Sequence, residues 1–136
     1  ARYPCKKLIL TGAAGLLPKR GMTYYLKVSI YKLCKKLSIN LTMGSEDYQK
    51  ASSVMRGVLV KAVNENLESL LPRIRCDTLL VWGEKDEQTP LWMGKRMEQL
   101  LPHASLIVFK KEGHFAYFYQ SLRFQRIVDA FLEGEV

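Results

Sequence analysis

The segment of residues 78–115, TLLVWGEKDEQTPLWMGKRMEQLLPHASLIVFKKEGHF, decides the fold. It begins with a continuous apolar run of strand length at 78–82, and a second such run occupies 106–109. Thr89 and Pro90 lie between the runs and are typical of a helix start, with threonine as the cap and proline at the first helical position. Strands that are apolar on both faces and separated by helices predict a parallel sheet covered by helices.

The flanking sequence extends this α/β pattern in both directions. Residues 7–11 form a short apolar run followed by the glycine-rich stretch 12–15, which predicts another buried strand and a loop. Apolar residues at spacings of three and four predict further helices over 23–37, over about 46–71 and from Ser121 onward. In the second of these, Ser45 predicts the helix start and Gly57 predicts a weak point that could divide it into two helices.

The element order predicts three parts. Residues 1–15 are a core strand with its loop, and residues 71–136 are a C-terminal β-α-β-α part of the same sheet. The helical stretch over residues 16–70 is too long for a simple crossover between neighbouring strands. We therefore expect it to form a cap over one edge of the sheet.

Composition and charge favour a globular protein with no membrane-spanning helix. The 136 residues are 48% apolar and 25% charged, and no apolar stretch approaches the roughly 20 residues that a spanning helix needs. The net charge of +8 comes from residues 1–44, which hold nine Lys or Arg and no acid. This pattern predicts a basic, solvated helix face. A second interpretation is that the basic segment binds an anionic membrane surface or an acidic substrate. Nucleic-acid binding is a weaker one, because no aromatic-interleaved strand or known motif accompanies the charge.

The cysteines favour a cytoplasmic protein. Cys5, Cys34 and Cys76 are odd in number and lack metal-type spacing, so free thiols in a reducing compartment are expected. The first residues carry no apolar core of signal-peptide length, which says little about location because we expect the chain to begin within a domain. No phosphate loop and no metal-ligand set stands out, so no cofactor is expected.

Two loops carry the residues suited to catalysis. Asp86 follows the strand that ends at Trp82, and His114 follows the strand that ends at Phe109. One helix separates the strands, so a right-handed crossover brings both loops to the same edge of the sheet, where ligands bind in parallel sheets. A carboxylate that accepts the imidazole Nδ1 proton leaves the other nitrogen free to act as a general base. Glu84 and Glu87 are rival carboxylates at this spacing.

Three stretches resemble the α/β-hydrolase superfamily. The stretch from Leu70 to Phe131 is similar to the C-terminal portion of that superfamily, because it holds WGEKD followed by TP and then by GHF at this spacing. ARYPCKKLILTGAAG resembles the segment that follows the nucleophile helix of that fold, and SEDYQKASSVMRGVLVKAVNENL resembles cap-to-core segments of its esterase-like members. Asp77 is a departure, since many relatives have proline just before the strand.

The resemblance implies a hydrolase of a carboxylic ester or a related acyl substrate. Asp86 would be the triad acid and His114 the triad base. The nucleophile normally lies in G-x-S-x-G, and no such pentapeptide occurs in the 136 residues. We therefore expect it outside this chain, and expect the chain to associate with a missing N-terminal half or with itself. The candidate pocket walls are Trp92, Phe115, Tyr24 and Tyr25, followed by Met22 and Tyr117.

Two other functions stay open. An aspartate nucleophile would give epoxide or haloalkane chemistry with the same Asp86 and His114. A relative that has lost catalysis would be a binding module.

Overall fold

The computed structural model describes residues 5–17, 26, 29, 30, 33 and 50–134. The strands are β1 (Lys7–Thr11), β2 (Asp77–Gly83) and β3 (Ala104–Phe109), and the α-helices are α1 (Ser53–Asn64), α2 (Leu91–Leu100), α3 (Ala116–Tyr119) and α4 (Ser121–Glu133). A single 3-10 turn, Leu71–Arg73, precedes β2. The chain divides into two compact units, one of Ala1–Leu16 with Asn66–Val136 and one of Leu17–Glu65.

The three described strands form one parallel sheet in the order β1-β2-β3. Thr11 pairs with Val81, and Gly83 pairs with Phe109, so the carboxyl ends of all three strands meet at one edge. This confirms the predicted parallel α/β sheet. It also places the loops after each strand side by side.

The central strand β2 is buried on both faces because its alternating side chains enter two different clusters. Leu80 and Trp82 pack with residues of α2, among them Met93 and Met97. Leu79 and Val81 point the other way and pack with Phe109, Ala116 and Phe131. Each of these large apolar side chains contributes roughly 1.5–3 kcal/mol by leaving water, which anchors the strand on which the site is built.

Trp82 also fixes the loop that follows β2. A Cβ on Gly94 would lie 2.8 Å from the Trp82 ring, so α2 can approach the strand this closely because it has glycine there. The indole Nε1 donates a hydrogen bond of 2.7 Å to the carbonyl of Thr89. A buried donor thus finds its acceptor in the loop, and the loop is tied to the core.

The start of α2 differs from the sequence prediction. The helix begins at Leu91 with Pro90 in the cap position, and no side chain caps it. Thr89 was expected to be the cap, and this prediction was wrong. Its hydroxyl bonds to Asp86 and to the end of β1 instead, as described below.

In the second unit, α1 is shorter than the predicted helix and is not interrupted. It runs through Gly57 and ends at Asn64, and Ser52 caps it by accepting a 3.3 Å bond from the Met55 amide. The predicted region does divide, but at residues 51 and 52, which separate the helical Lys50 from α1. It does not divide at Gly57, because a single exposed glycine costs only about 1 kcal/mol in a helix. The predicted cap Ser45 lies outside the described residues. The four described residues of the predicted 23–37 helix, numbers 26, 29, 30 and 33, are helical.

Two features concern the last helices. The short helix α3 was not predicted, whereas α4 begins at Ser121 as predicted and ends at Gly134, whose φ of 88° suits glycine. Lys7 donates to the carbonyls of Phe131 and Leu132, the latter at 2.9 Å, and so ties β1 to the end of α4.

In the part of the chain that the structure describes, no helix has the length and apolar character to cross a membrane. That the helical unit acts as a cap stays a prediction.

Candidate active site

Two loops at the carboxyl edge of the sheet are bonded to each other through their backbones. The Glu84 amide donates to the carbonyl of Phe109 at 3.0 Å, and the Lys85 amide donates to the carbonyl of Glu112 at 2.8 Å. The Glu84 carboxylate in turn accepts a 2.9 Å bond from the amide of Lys111, whose φ is 66°. The loop after β2 and the loop after β3 are therefore held in one fixed relation.

Asp86 lies in the first of these loops with all of its acceptor positions in use. Its Oδ1 accepts hydrogen bonds from the backbone amides of Gln88 and Thr89, both at 2.9 Å. Its Oδ2 is 2.8 Å from the Thr89 hydroxyl and 2.9 Å from Nδ1 of His114. The Asp86 side chain is completely buried, so these bonds replace the water that it has lost.

The hydrogen bonds keep Asp86 ionised. Burial by itself would raise the pKa of this carboxyl, because it disfavours the charged form. The bonds from the Thr89 amide, the His114 imidazole and the Thr89 hydroxyl act in the opposite direction, helped by the charge of His114, and the pKa of Asp86 is lowered below its ordinary value. Asp86 is thus an acceptor for the imidazole at neutral pH.

His114 presents one nitrogen to Asp86 and the other to its surroundings. An ionised carboxylate can only accept, so the 2.9 Å bond requires Nδ1 to carry the hydrogen. Within residues 5–17 and 50–134, no hydrogen bond involves Nε2. The His114 side chain is 24% exposed, so it is not sealed within the core.

The end of β1 completes the arrangement at Gly12. Gly12 has a φ of 48°, and a Cβ built on it would lie 3.0 Å from Nδ1 of His114 and 3.1 Å from Oδ2 of Asp86. Its carbonyl is 2.9 Å from the Thr89 hydroxyl. All three strand ends therefore meet at the Asp86–His114 pair.

The structure brings together some of the residues suggested by the sequence and separates others. Of the three candidate carboxylates, Asp86 bonds to His114, while Glu84 bonds to Lys111 and Glu87 is exposed. Phe115 is half exposed, and its ring packs edge-on to His114 with centroids 5.1 Å apart.

The other candidate wall residues are less directly placed. Trp92 is 39% exposed near the start of α2, and no described ring contact joins it to His114. Tyr117 packs against Phe115 and Phe124. Tyr24, Tyr25 and Met22 lie outside the described residues.

Sequence reasoning missed two residues of the site, Gly12 and Thr89. The glycine after an apolar strand and the threonine before proline were both visible, but they were read as a turn and as a helix cap. Over residues 5–17 and 50–134, no group of three or more metal-binding side chains comes together. The two described cysteines, Cys5 and Cys76, are free thiols.

A helix-covered parallel sheet with a carboxylate–imidazole pair at its carboxyl edge defines an α/β-hydrolase type of architecture. The family model of the TAP-like proteins, within the α/β hydrolases, matches residues 50–135. The chain belongs to this family.

Curated and solved relatives agree with this assignment. A 2-hydroxy-6-oxononadienedioate/2-hydroxy-6-oxononatrienedioate hydrolase of Pseudomonas sp. is 39% identical over 67 residues, which are 49% of this chain and 24% of that protein. An esterase from Exiguobacterium antarcticum superposes with a TM-score of 0.67 at 22% identity, over 95% of this chain and 57% of the other. A meta-cleavage product hydrolase from Pseudomonas fluorescens IP01 superposes with a TM-score of 0.63 at 22% identity, over 94% of this chain and 56% of the other. The chain thus spans little more than half of these solved chains.

Proposed function

We propose that this chain is part of a hydrolase of carboxylic esters or related acyl compounds, with His114 as general base and Asp86 as the residue that orients it. The observation that supports this most is the 2.9 Å bond from His114 Nδ1 to the buried Oδ2 of Asp86. It leaves Nε2 directed away from the carboxylate, and a base in that state accepts a proton from a hydroxyl or from water.

In the proposed reaction a nucleophile attacks the acyl carbonyl while Nε2 of His114 takes its proton. The imidazolium that forms is stabilised by the Asp86 carboxylate, and it then gives the proton to the leaving group. Four bonds to Asp86 favour its ionised form, so it supports this charge without reorganisation. The pair therefore serves both halves of an acyl transfer.

The nucleophile in this proposal comes from outside residues 1–136, and we favour serine. The chain contains no G-x-S-x-G, and among the described strands β1 pairs with β2 only. A strand added beside β1, from a further segment or from another chain, would end next to Gly12 and so next to His114. The partner that supplies the nucleophile would thus be an N-terminal half. A second copy of this chain is the alternative partner for the open edge of β1, but it would bring no G-x-S-x-G.

The site of acyl binding is proposed at Phe115, whose exposed ring adjoins His114. Trp92, near the start of α2, is proposed as a further wall, and Tyr24 and Tyr25 stay predictions from the sequence. A reducing, cytoplasmic setting is part of the same proposal, because three cysteines without metal-type spacing suit free thiols.

The names of the curated relatives suggest a second substrate class. Those hydrolases are named for 2-hydroxy-6-oxo dicarboxylates. The 6-oxo group of such a compound is a ketone carbonyl that a nucleophile can attack. The bond broken would then be a C–C bond beside it, and His114 would pass the proton to the leaving carbon, so the same Asp86–His114 pair would serve. An aspartate nucleophile and a non-catalytic binding role are the remaining alternatives.

Hydrolysis of two substrates by the intact enzyme, purified with any partner it retains, tests the proposal. We expect turnover of p-nitrophenyl butyrate or of a 2-hydroxy-6-oxo dienedioate, and a fall in kcat/KM of about a hundredfold or more for Asp86→Asn. Glu87→Gln removes an exposed carboxylate of the same loop and should leave kcat/KM unchanged. Equal effects of the two substitutions, or no turnover of either substrate, would contradict the proposal.

The nucleophile is identified by covalent labelling. A fluorophosphonate should modify one serine, which peptide mass spectrometry then locates, and labelling should fall in His114→Ala. Incorporation of ¹⁸O from water into an aspartate during turnover, without phosphonate labelling, would support the aspartate nucleophile instead.

A further inference from the structure

We propose that Thr89 is a positioning residue of this site, whose hydroxyl holds the Asp86–His114 pair in the arrangement that leaves Nε2 free. This inference rests on the proposed function, since it concerns the residues that would orient the base. Nothing in the composition or the spacing assigns the threonine more than a helix cap.

The Thr89 hydroxyl lies where the three strand ends converge. Its Oγ1 is 2.8 Å from Oδ2 of Asp86, 2.9 Å from the carbonyl of Gly12 and 3.3 Å from Nδ1 of His114. Thr89 is only 8% exposed, so water does not compete freely for these groups. One side chain therefore contacts the end of β1, the loop after β2 and the loop after β3.

The rest of Thr89 is fixed by its backbone. Its amide donates to Oδ1 of Asp86 at 2.9 Å, and its carbonyl accepts from the buried indole of Trp82 at 2.7 Å. The Oγ1 position is therefore set by the core of the sheet. A hydroxyl held in this way loses little entropy when it bonds to the carboxylate, which is the condition for effective positioning.

The direction of each hydrogen bond follows from what the groups can donate. The hydroxyl has one proton and two acceptors, Oδ2 of Asp86 at 2.8 Å and the Gly12 carbonyl at 2.9 Å. The ionised Asp86 is the stronger acceptor, so Thr89 donates mainly to Oδ2 and shares the proton with the Gly12 carbonyl. The hydroxyl oxygen then faces Nδ1 of His114 as a second acceptor at 3.3 Å. Two acceptors on this side of the ring favour the tautomer with the hydrogen on Nδ1 and the lone pair on Nε2.

No other charged side chain of the two loops has a described hydrogen bond to Asp86 or His114. The Glu84 carboxylate accepts from the amide of Lys111, and the Glu112 carboxylate accepts from the side-chain amide of Gln120 at 2.7 Å. Lys85 and Glu87 are exposed. Asp86 is thus the charged group that the described structure bonds to His114, and Thr89 is the neutral group that contacts both.

The test compares Thr89→Val, which removes the hydroxyl, with Thr89→Ser, which keeps it. Thr78→Val is the matched control, because Thr78 is also buried on β2 but its hydroxyl bonds to the Cys76 carbonyl, away from the site. Nuclear magnetic resonance of the intact enzyme follows the Nδ1 proton of His114 and the titration of the Asp86 carboxyl. Neither readout requires turnover, so each tests the positioning role even if the proposed reaction is wrong.

We expect Thr89→Val to raise the pKa of Asp86 and to speed exchange of the Nδ1 proton with water. If the proposed function holds, kcat should fall about tenfold with less than a twofold change in KM, since a bond to a charged group is lost. Thr89→Ser should restore all three, and Thr78→Val should alter none of them. Unchanged Asp86 titration and Nδ1 exchange in Thr89→Val, or a serine variant no better than valine, would overturn the inference.

Discussion

The backbone of Gly12 lies against the imidazole of His114, so closely that a Cβ on Gly12 would be 3.0 Å from both Nδ1 and Cε1. Gly12 directly follows β1, whereas His114 belongs to the loop after β3, and the sheet brings them together. The imidazole is thus held between the Asp86 carboxylate and the end of a strand. Its orientation depends on the absence of a side chain at position 12.

Gly12→Ala is expected to reduce activity by more than its effect on folding explains. The new methyl group displaces the imidazole by a few tenths of an ångström, and we expect kcat/KM to fall about tenfold or more. The left-handed backbone adds a stability cost of about 1–2 kcal/mol. Steady-state kinetics and urea unfolding measure the two effects separately.

Gly134→Ala is the matched control for backbone strain. Gly134 also has a positive φ, of 88°, but a Cβ there meets nothing within 4 Å. It should lose similar stability and keep full kcat/KM. A Gly12→Ala enzyme with wild-type kcat/KM would show that the glycine does not position the imidazole.

The contrast between what the sequence predicted and what it did not has a physical basis. The runs at Leu79–Trp82 and Leu106–Phe109 are apolar on both faces, and this local property was enough to predict the sheet and the two loops at its edge. The roles of Gly12 and Thr89 arise from contacts between distant parts of the chain, since these two residues are 77 positions apart. Local spacing carries no record of such contacts.

The end of α1 shows the same limit. Apolar spacing continues past Asn64 toward Leu71, yet the helix ends at Asn64. The amide of Leu67 instead donates to the carbonyl of Gly15 at 2.7 Å, and a Cβ on Gly15 would lie 3.3 Å from the Leu67 side chain. A long-range contact thus replaces the helical bond that periodicity favoured.

Gly83→Ala is expected to be strongly destabilising. A Cβ on Gly83 would lie 2.1 Å from the carbonyl oxygen of Gly113 and 2.6 Å from that of Glu112. Backbone atoms cannot avoid it by changing rotamer, so the two loops must separate, at a cost of about 2–3 kcal/mol or more in the free energy of unfolding.

Gly113→Ala provides the comparison from the other side of this contact. A Cβ built on Gly113 would have the Lys85 carbonyl oxygen as its nearest neighbour, at 4.0 Å. The loss of stability should therefore be well below that of Gly83→Ala. Urea unfolding of both variants gives the ranking. Equal losses would mean that the loops are not packed as described.

The Asp86 interactions predict a pH dependence of stability. The pKa of Asp86 is lower in the folded protein than the ordinary aspartate value of about 3.9, so the unfolded chain binds a proton more readily. The stabilisation is therefore complete above that ordinary value and is lost as pH falls through the folded pKa.

Urea unfolding between neutral and acidic pH, on wild type and Asp86→Asn, measures this contribution. The difference in unfolding free energy between the two proteins should be largest near neutral pH and should shrink at low pH. A difference that stays constant over the acidic range would mean that Asp86 is not stabilised in its ionised form.

The most direct test of the account compares the two histidines of the chain, His114 and His103. His103 is exposed, so His103→Ala controls for the loss of an imidazole outside the site. With p-nitrophenyl butyrate as substrate, we predict that His114→Ala lowers kcat/KM of the intact enzyme by at least about a hundredfold while His103→Ala leaves it unchanged. A His114→Ala enzyme that is folded and retains wild-type kcat/KM would contradict the assignment of His114 as the base.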